Sequence, residues 1–170
     1  VYEMSCHQLK DLSVAPKIAV FLNLYEEHLD YYDTMDNYFR AKSHIIANQK
    51  EGDVCYIGSN VPYIDTAAEV KIISPEKTGC YSLSIEGIHN QFNAEFVYRI
   101  ASECFHIEDD KIRDAMRCFT GLKHRLEFVD EIGDVRFFDD SISTIPEAAI
   151  SAMGSLPDSK TLLIGGLDRG

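Results

Sequence analysis

Several side chains in this sequence are of a type, and at a place in the local pattern, that suits chemistry. Lys42 is the first. The apolar stripe of residues 34–50 runs Met35, Tyr38, Phe39, Ile45 and Ile46, and position 42 is its missing member. A lysine there either snorkels, with its stem on apolar surface and its ammonium in water, or is held in a site where burial lowers its pKa. A neutral amine reacts with carbon dioxide to give a carbamate, which is an anionic metal ligand. Glu26, Glu27, His28 and Asp30 follow the apolar run 18–24, at the carboxyl end of an expected strand, where open α/β sheets place ligands. Imidazole and carboxylate donors suit a divalent cation, although a solvated acidic loop has the same composition. Glu3, near the start, is a single carboxylate that carries little by itself.

Further along, His89, Asn90 and Asn93 fall in the first turn of an expected helix, where exposed N–H groups and the dipole favour anions. Capping accounts for Asn90, but Asn93 lies a turn too far in. Arg125, in Lys123-His124-Arg125, has a guanidinium that forks onto phosphate oxygens, or is an ordinary surface arginine. Asp139 and Asp140 end one strand, and Ser141, Ser143 and Thr144 precede the next helix; a cap explains Thr144 but not the acid pair. The glycine-rich turn Gly165-Gly166-Leu167-Asp168-Arg169-Gly170 lets backbone approach a ligand.

The elements that must position these groups alternate between strand and helix. Residues 18–24, 53–57 and 69–73 read as strands, the first a near-continuous apolar run typical of a parallel sheet. Residues 80–86 read as an edge strand. Helices are expected over 34–50 with Thr34 as N-cap, over 90–105 with the stripe Phe92, Phe96, Val97, Ile100 and Cys104, and over 109–119 with Ile112, Ala115, Met116 and Phe119. Thr120-Gly121-Leu122 breaks the pattern, dividing the chain into domains 1–121 and 122–170. In the second, 126–130 and 135–138 flank a Gly133-Asp134 turn and predict a hairpin. A helix capped by Thr144, with Pro146 in its first turn, leads to a buried strand at 160–164, the order expected at the start of a Rossmann-like sheet.

Composition narrows the function classes. A chain of 170 residues, 45% hydrophobic, can bury a sizeable core. A formal charge of -12 without a Lys/Arg run argues against nucleic acid. The five cysteines, Cys6, Cys55, Cys80, Cys104 and Cys118, form no C-x-x-C pair and fit buried free thiols in a reducing, cytoplasmic compartment. No apolar stretch is long enough to span a bilayer, and no signal peptide is visible. The chain opens without Met and stops after an expected strand, so both ends read as cuts.

The order of the motifs is more specific than any one of them. Tyr2-Glu3-Met4-Ser5-Cys6-His7-Gln8-Leu9 is similar to E-x-S-S-F-Q-L. Residues 22–30 are similar to L-N-x-x-x-D-H-x-D, Ala41-Lys42 to an A-K helix, and 87–93 to G-x-H-N-x-x-N. Residues 119–127 are similar to F-x-G-L-x-H-R-x-E, and 139–144 to N-D-S-K-A-T. Together they resemble the Mur ligase family, from Tyr2 to Gly170. The D-S-x-x-T form of the last motif points to the branch that adds D-glutamate; folylpolyglutamate synthetases share the scaffold but not this spelling.

The resemblance implies an α/β fold: the rear of a central ATPase domain, a mostly parallel sheet with helices, then the start of a Rossmann-like C-terminal domain. It implies an ATP-dependent ligase of peptidoglycan synthesis, joining D-glutamate to UDP-N-acetylmuramoyl-L-alanine through an acyl phosphate, in a cytoplasmic and monomeric parent protein. Glu3, His28 and a carbamylated Lys42 would serve two magnesium ions, with Lys42 and His28 catalytic. His89, Asn90, Asn93, Arg125 and Asp140 would bind ATP, and Thr144 and Arg169 would lie near D-glutamate. There are departures: Ile142 stands where the motif has lysine, Arg169 where many relatives have lysine, and His7 where the motif has Phe. The chain has no G-x-x-x-x-G-K-[ST] loop, so it is expected not to turn over ATP alone. The rival readings are a carbamate-bridged metal hydrolase, another Mur or folylpolyglutamate-type ligase, and a non-catalytic remnant or interaction module of the same fold.

Overall fold

Ile18–Phe21 (β1), Val54–Gly58 (β2) and Glu69–Ile73 (β3) form a wholly parallel sheet in the order β1-β2-β3 in the computed structural model, which describes residues 1–166. Register pairs Ala19 with Cys55 and Phe21 with Ile57. One face therefore carries Ala19, Phe21, Cys55 and Ile57, all buried. Ile46 closes that face from the helix Met35–Ala47 (α3), and Val61 and Ile64 close it from the β2–β3 crossover. The crossover contains no helix, and Thr66 Oγ1 donates to the Ile46 carbonyl at 3.1 Å to fasten it. Tyr56, on the opposite face of β2, is fully buried. A Cβ at Gly58 would collide with the Leu22 carbonyl, so β2 can end this close to β1 only with glycine.

Two short helices complete this part of the chain, Cys6–Leu9 (α1) and Leu29–Tyr32 (α2). α1 is one turn held by a reciprocal capping box: Ser5 Oγ accepts from the Gln8 N–H, and Gln8 Oε1 accepts from the Ser5 N–H. α3 starts where the sequence predicts, with the Thr34 hydroxyl accepting from the Asn37 N–H at 3.2 Å. Its last turn stops short of residue 50 because Gln49 turns inward to donate to the Pro16 and Val54 carbonyls.

The chain divides into two compact units, Val1–Lys77 and Thr78–Gly165. The second contains helices Ile88–Glu103 (α4), Asp109–Cys118 (α5) and Pro146–Ser155 (α6), and the strands Glu127–Ile132 (β4) and Val135–Asp139 (β5). Tyr81, Ala94, Ile112 and Met116 are its core cluster. Glu95 is also buried; its carboxylate accepts from the Tyr81 hydroxyl at 2.7 Å, the Gly79 N–H at 2.8 Å and Arg99 Nε at 2.8 Å. β4 and β5 form the expected antiparallel hairpin, with a bulge between Phe128 and Asp130 and Gly133 at φ 62 in the turn.

Several sequence-based expectations change. Residues 80–86 form no strand: the Gln91 carboxamide accepts from the Tyr81 N–H and donates to the Tyr81 carbonyl, replacing a neighbouring strand with a side chain. Residues 160–164 pair with no strand among the described residues, and Leu163 and Ile164 are exposed. α4 begins two residues earlier than expected, on Gly87. Its φ of 111, and the collision of any Cβ with His89 and Ser155, require glycine there. Thr144 does not cap α6. Pro146 at the first helical position holds Ile145 extended as the cap residue. Val97, Ala115 and Phe119 are exposed. Cys6 and Cys55 are buried free thiols as expected, whereas Cys80 and Cys118 are exposed and Cys104 is intermediate.

Candidate functional site

β1 delivers the chain into the acidic loop, and His28 ends it in a left-handed conformation, φ 60 and ψ 27, immediately before α2. Its imidazole lies between two aromatic neighbours, 5.2 Å from the His7 ring and 6.0 Å from the Tyr38 ring by centroid. Its Nε2 is 3.8 Å from Glu27 Oε2. Tyr38 belongs to α3, and one turn later comes Lys42. Lys42 Nζ donates to the Tyr38 hydroxyl at 3.2 Å and lies 5.1 Å from the Tyr38 ring centroid and 5.5 Å from that of Phe21. His28 and Lys42 thus both approach one tyrosine. The lysine Nζ is half-buried against the Tyr38 and Phe21 rings.

Electrostatics follow from that packing. Burial lowers the Lys42 pKa, opposed by the charges of Cys6 and Glu27. Burial, with Glu27 and Cys6 nearby, pushes the Tyr38 hydroxyl up to about 12, so it stays a neutral donor. Magnesium prefers oxygen donors. Glu27 offers a carboxylate here, but Lys42 as an ammonium repels a cation. The set fits magnesium once Lys42 carries a carbamate, which its depressed pKa favours by exposing free amine. Glu3 lies on the exposed segment before Ser5, and it is in neither of the groupings of metal-competent side chains found among the described residues. One of those groupings is Cys6, His7 and His28. Glu27 has a sequence signal in its adjacency to His28, whereas Cys6 and His7 have none in the local pattern.

In the second unit, His89 Nδ1 is 2.8 Å from Ser151 Oγ of α6. Burial lowers the His89 pKa against the opposing charge of Asp140. Asn90 donates through Nδ2 to the Glu86 carbonyl at 2.6 Å and so fastens the loop before α4. Asn93 is half-buried one turn further. Asp140 accepts from the Leu126 N–H at 2.9 Å and from the Ser143 hydroxyl at 2.5 Å. A carboxylate has about four lone-pair sites, so it retains acceptor capacity for a ligand. Next to the exposed Arg125, the His124 N–H donates to Glu127 at 2.7 Å and the His124 ring meets Asp139 at 2.7 Å. Thr144 is exposed, and Arg169 lies outside the described residues.

Cavities lie elsewhere. A groove of about 350 Å³ runs along the sheet beside Ile57, Tyr63, Val70 and Ile72, and a cleft of about 200 Å³ is lined by Cys80, Tyr81, Ser82, Arg113 and Met116. None of the candidate residues lines either. Among the described residues no helix is long and apolar enough to cross a membrane.

Comparison with known proteins adds independent evidence. The Mur ligase middle domain profile matches residues 1–119. UDP-N-acetylmuramoylalanine–D-glutamate ligase of Latilactobacillus sakei subsp. sakei is 32% identical over 100% of this chain and 43% of its own length. The ligases of the same name from Lactobacillus gasseri and Bacillus mycoides are each 34% identical, again over 100% of this chain and 43% of theirs. The chain therefore spans less than half the length of these relatives. The crystal structure of MurF from Acinetobacter baumannii superposes with a TM-score of 0.65 over 85% of this chain and 38% of that one, at 22% identity, which is agreement of fold. With a parallel α/β sheet in place and the middle-domain profile matched across most of the sequence, the chain belongs to the Mur ligase family.

Proposed function

We propose that this chain is the part of a D-glutamate-adding ligase that holds magnesium and one face of ATP. The observation that carries the reading is the meeting of His28 and Lys42 on Tyr38, in a chain whose whole length aligns with ligases of that name. In this reading ATP phosphorylates the carboxylate of UDP-N-acetylmuramoyl-L-alanine, the amine of D-glutamate attacks the acyl phosphate, and phosphate leaves as the amide forms. Bound magnesium supplies charge neutralisation at the transferring phosphoryl group. His28, a carbamate on Lys42 and Glu3 hold it, with Glu27 adding charge beside His28. The Phe21 and Tyr38 rings, 5.5 Å and 5.1 Å from Lys42 Nζ, restrict where the carbamate sits.

The second unit supplies the nucleotide contacts. Asn93 meets adenine, with His89 and Asn90 ordering the turn that carries it. Arg125 forks onto phosphate, and Asp140 accepts from the ribose. Thr144 and Arg169 attend D-glutamate. We also assign the domain boundary to 121/122, supported by the middle-domain profile ending at residue 119, and a cytoplasmic location.

The test is phosphate release by the full-length protein that bears this chain, with ATP, UDP-N-acetylmuramoyl-L-alanine and a panel of amino acids. Release should depend on D-glutamate, and Lys42→Ala should lower it by at least about a thousandfold, a metal-ligand loss worth roughly 4 kcal/mol of barrier. Short carboxylic acids should restore part of the rate. Full activity in Lys42→Ala, or dependence on a different amino acid, overturns the reading.

A further inference from the structure

Two residues of the first motif depart from the family pattern together. Cys6 stands where E-x-S-S-F-Q-L has serine, and His7 stands where it has phenylalanine. The fold brings both against His28: one donor atom from each of Cys6, His7 and His28 lies within 4.8 Å of the other two. We propose that Cys6, His7 and His28 form a binding site for a thiolate-preferring divalent metal of the zinc class. The proposal shares His28 with the magnesium reading above but does not rest on it.

The donor chemistry selects the metal. Thiolate and imidazole favour zinc over magnesium or calcium, which take oxygen. Three protein ligands with a fourth position open is a common zinc arrangement, with Zn–N near 2.0 Å and Zn–S near 2.3 Å. In tetrahedral geometry those bonds separate the ligands by roughly 3.5 Å, so side-chain rotation of the order of 1 Å closes the cluster. Binding transfers the Cys6 thiol proton to solvent as the sulfur–metal bond forms. Glu27, 3.8 Å from His28, supplies the remaining negative charge or the fourth ligand.

The surroundings are ordered for such a site. The Ser5–Gln8 capping box fixes the turn that carries Cys6 and His7. The His7 ring is stacked on Tyr32, 5.6 Å between centroids and 19° between planes, and meets Tyr31 edge-on at 4.7 Å. Cys6 is 5% exposed and packs among Tyr32, Tyr38 and Ala41. The Tyr32 hydroxyl in that cluster is buried, with the Cys6 sulfur as its hydrogen-bonding neighbour. A thiol is a weak acceptor, and a metal-bound thiolate in its place is a strong one. Outer-shell donors of that kind accompany metal ligands.

The experiment is metal binding by the 170-residue chain, read by cobalt(II) absorption and by zinc competition with a chromophoric chelator. One equivalent should bind, with a thiolate-to-cobalt charge-transfer band. Cys6→Ser and His7→Phe should each weaken zinc by more than roughly a hundredfold, beyond the loss typical of an outer-shell change. Phe keeps the stacking on Tyr32, so circular dichroism and thermal unfolding of His7→Phe should match the parent chain. A Cys80→Ser/Cys118→Ser variant should bind as the parent does. Cobalt binding without the charge-transfer band, no zinc binding at all, or affinity that follows Cys80 and Cys118 instead of Cys6 overturns the site. Failed zinc binding with D-glutamate ligation intact would sink this inference alone; zinc binding in a protein that does not ligate D-glutamate would sink the earlier reading alone.

Discussion

At the scale of single residues, the acid pair at the end of β5 divides its labour. Asp140 faces Ser143 and Leu126, while Asp139 is tied to the His124 ring and to the Ser141 N–H at 2.9 Å. Those hydrogen bonds, His124 first and then Ser141, hold the Asp139 carboxyl down to about 2. Its stabilising contribution is present above the ordinary carboxylate range and is lost as the pH falls through about 2. In a carboxyl-detected NMR titration Asp139 should have its midpoint near that value, and His124→Ala should move it up toward ordinary aspartate; an unmoved midpoint would remove His124 from the account. Of the residues chosen from sequence, His28 and Lys42 were legible because strand periodicity and a gap in a helical stripe locate them. Glu27 was legible only as part of a loop. Cys6 and His7 were not, because α1 is too short for periodicity to give it a face.

At the scale of elements, α4 is anchored by polar groups that hydrophobic patterning does not weigh. Glu95 is 4% exposed and accepts three hydrogen bonds. Burial pushes its pKa up, but Arg99, Gly79 and Tyr81 together outweigh burial and hold it below the ordinary carboxylate range. Since the unfolded chain then binds the proton more tightly, the stabilisation is full above that range and fades as the pH falls through the folded pKa. Glu95→Gln should cost about 1–3 kcal/mol at neutral pH, toward the lower end because Arg99 is half exposed. Urea unfolding should show the difference from the parent chain shrinking in acid; a difference constant with pH would mean the charge contributes nothing. The same blindness explains the strand expected at 80–86. Its apolar residues look like an edge strand, but the pairing groups of Tyr81 are taken by the side chain of Gln91, from inside α4. Where strands and helices bury apolar faces, as in β1, β2 and α3, sequence pattern and fold agree to within a few residues.

At the scale of the whole molecule, acidity and subdivision dominate. The charge of -12, without a Lys/Arg run in the sequence, argues against binding to phosphodiester backbones. The compact units Val1–Lys77 and Thr78–Gly165 meet in sequence at an exposed lysine, so brief trypsin treatment should cut first after Lys77 and leave two fragments separable by mass. First cleavage inside α3 or α4 would contradict the division. The boundary proposed at 121/122 is a division of another kind: it rests on Thr120-Gly121, where helical periodicity breaks, and on the end of the middle-domain profile at residue 119. The helix-free crossover between β2 and β3 has a further consequence. With β2 hydrogen-bonded on both sides and Tyr56 sealed beneath it, while Val70 and Ile72 of β3 face outward, deuterium should enter the amides of β3 well before those of β2. The slowest-exchanging protons of this unit should therefore mark the strand whose last residue, Gly58, abuts the start of the loop that leads to His28.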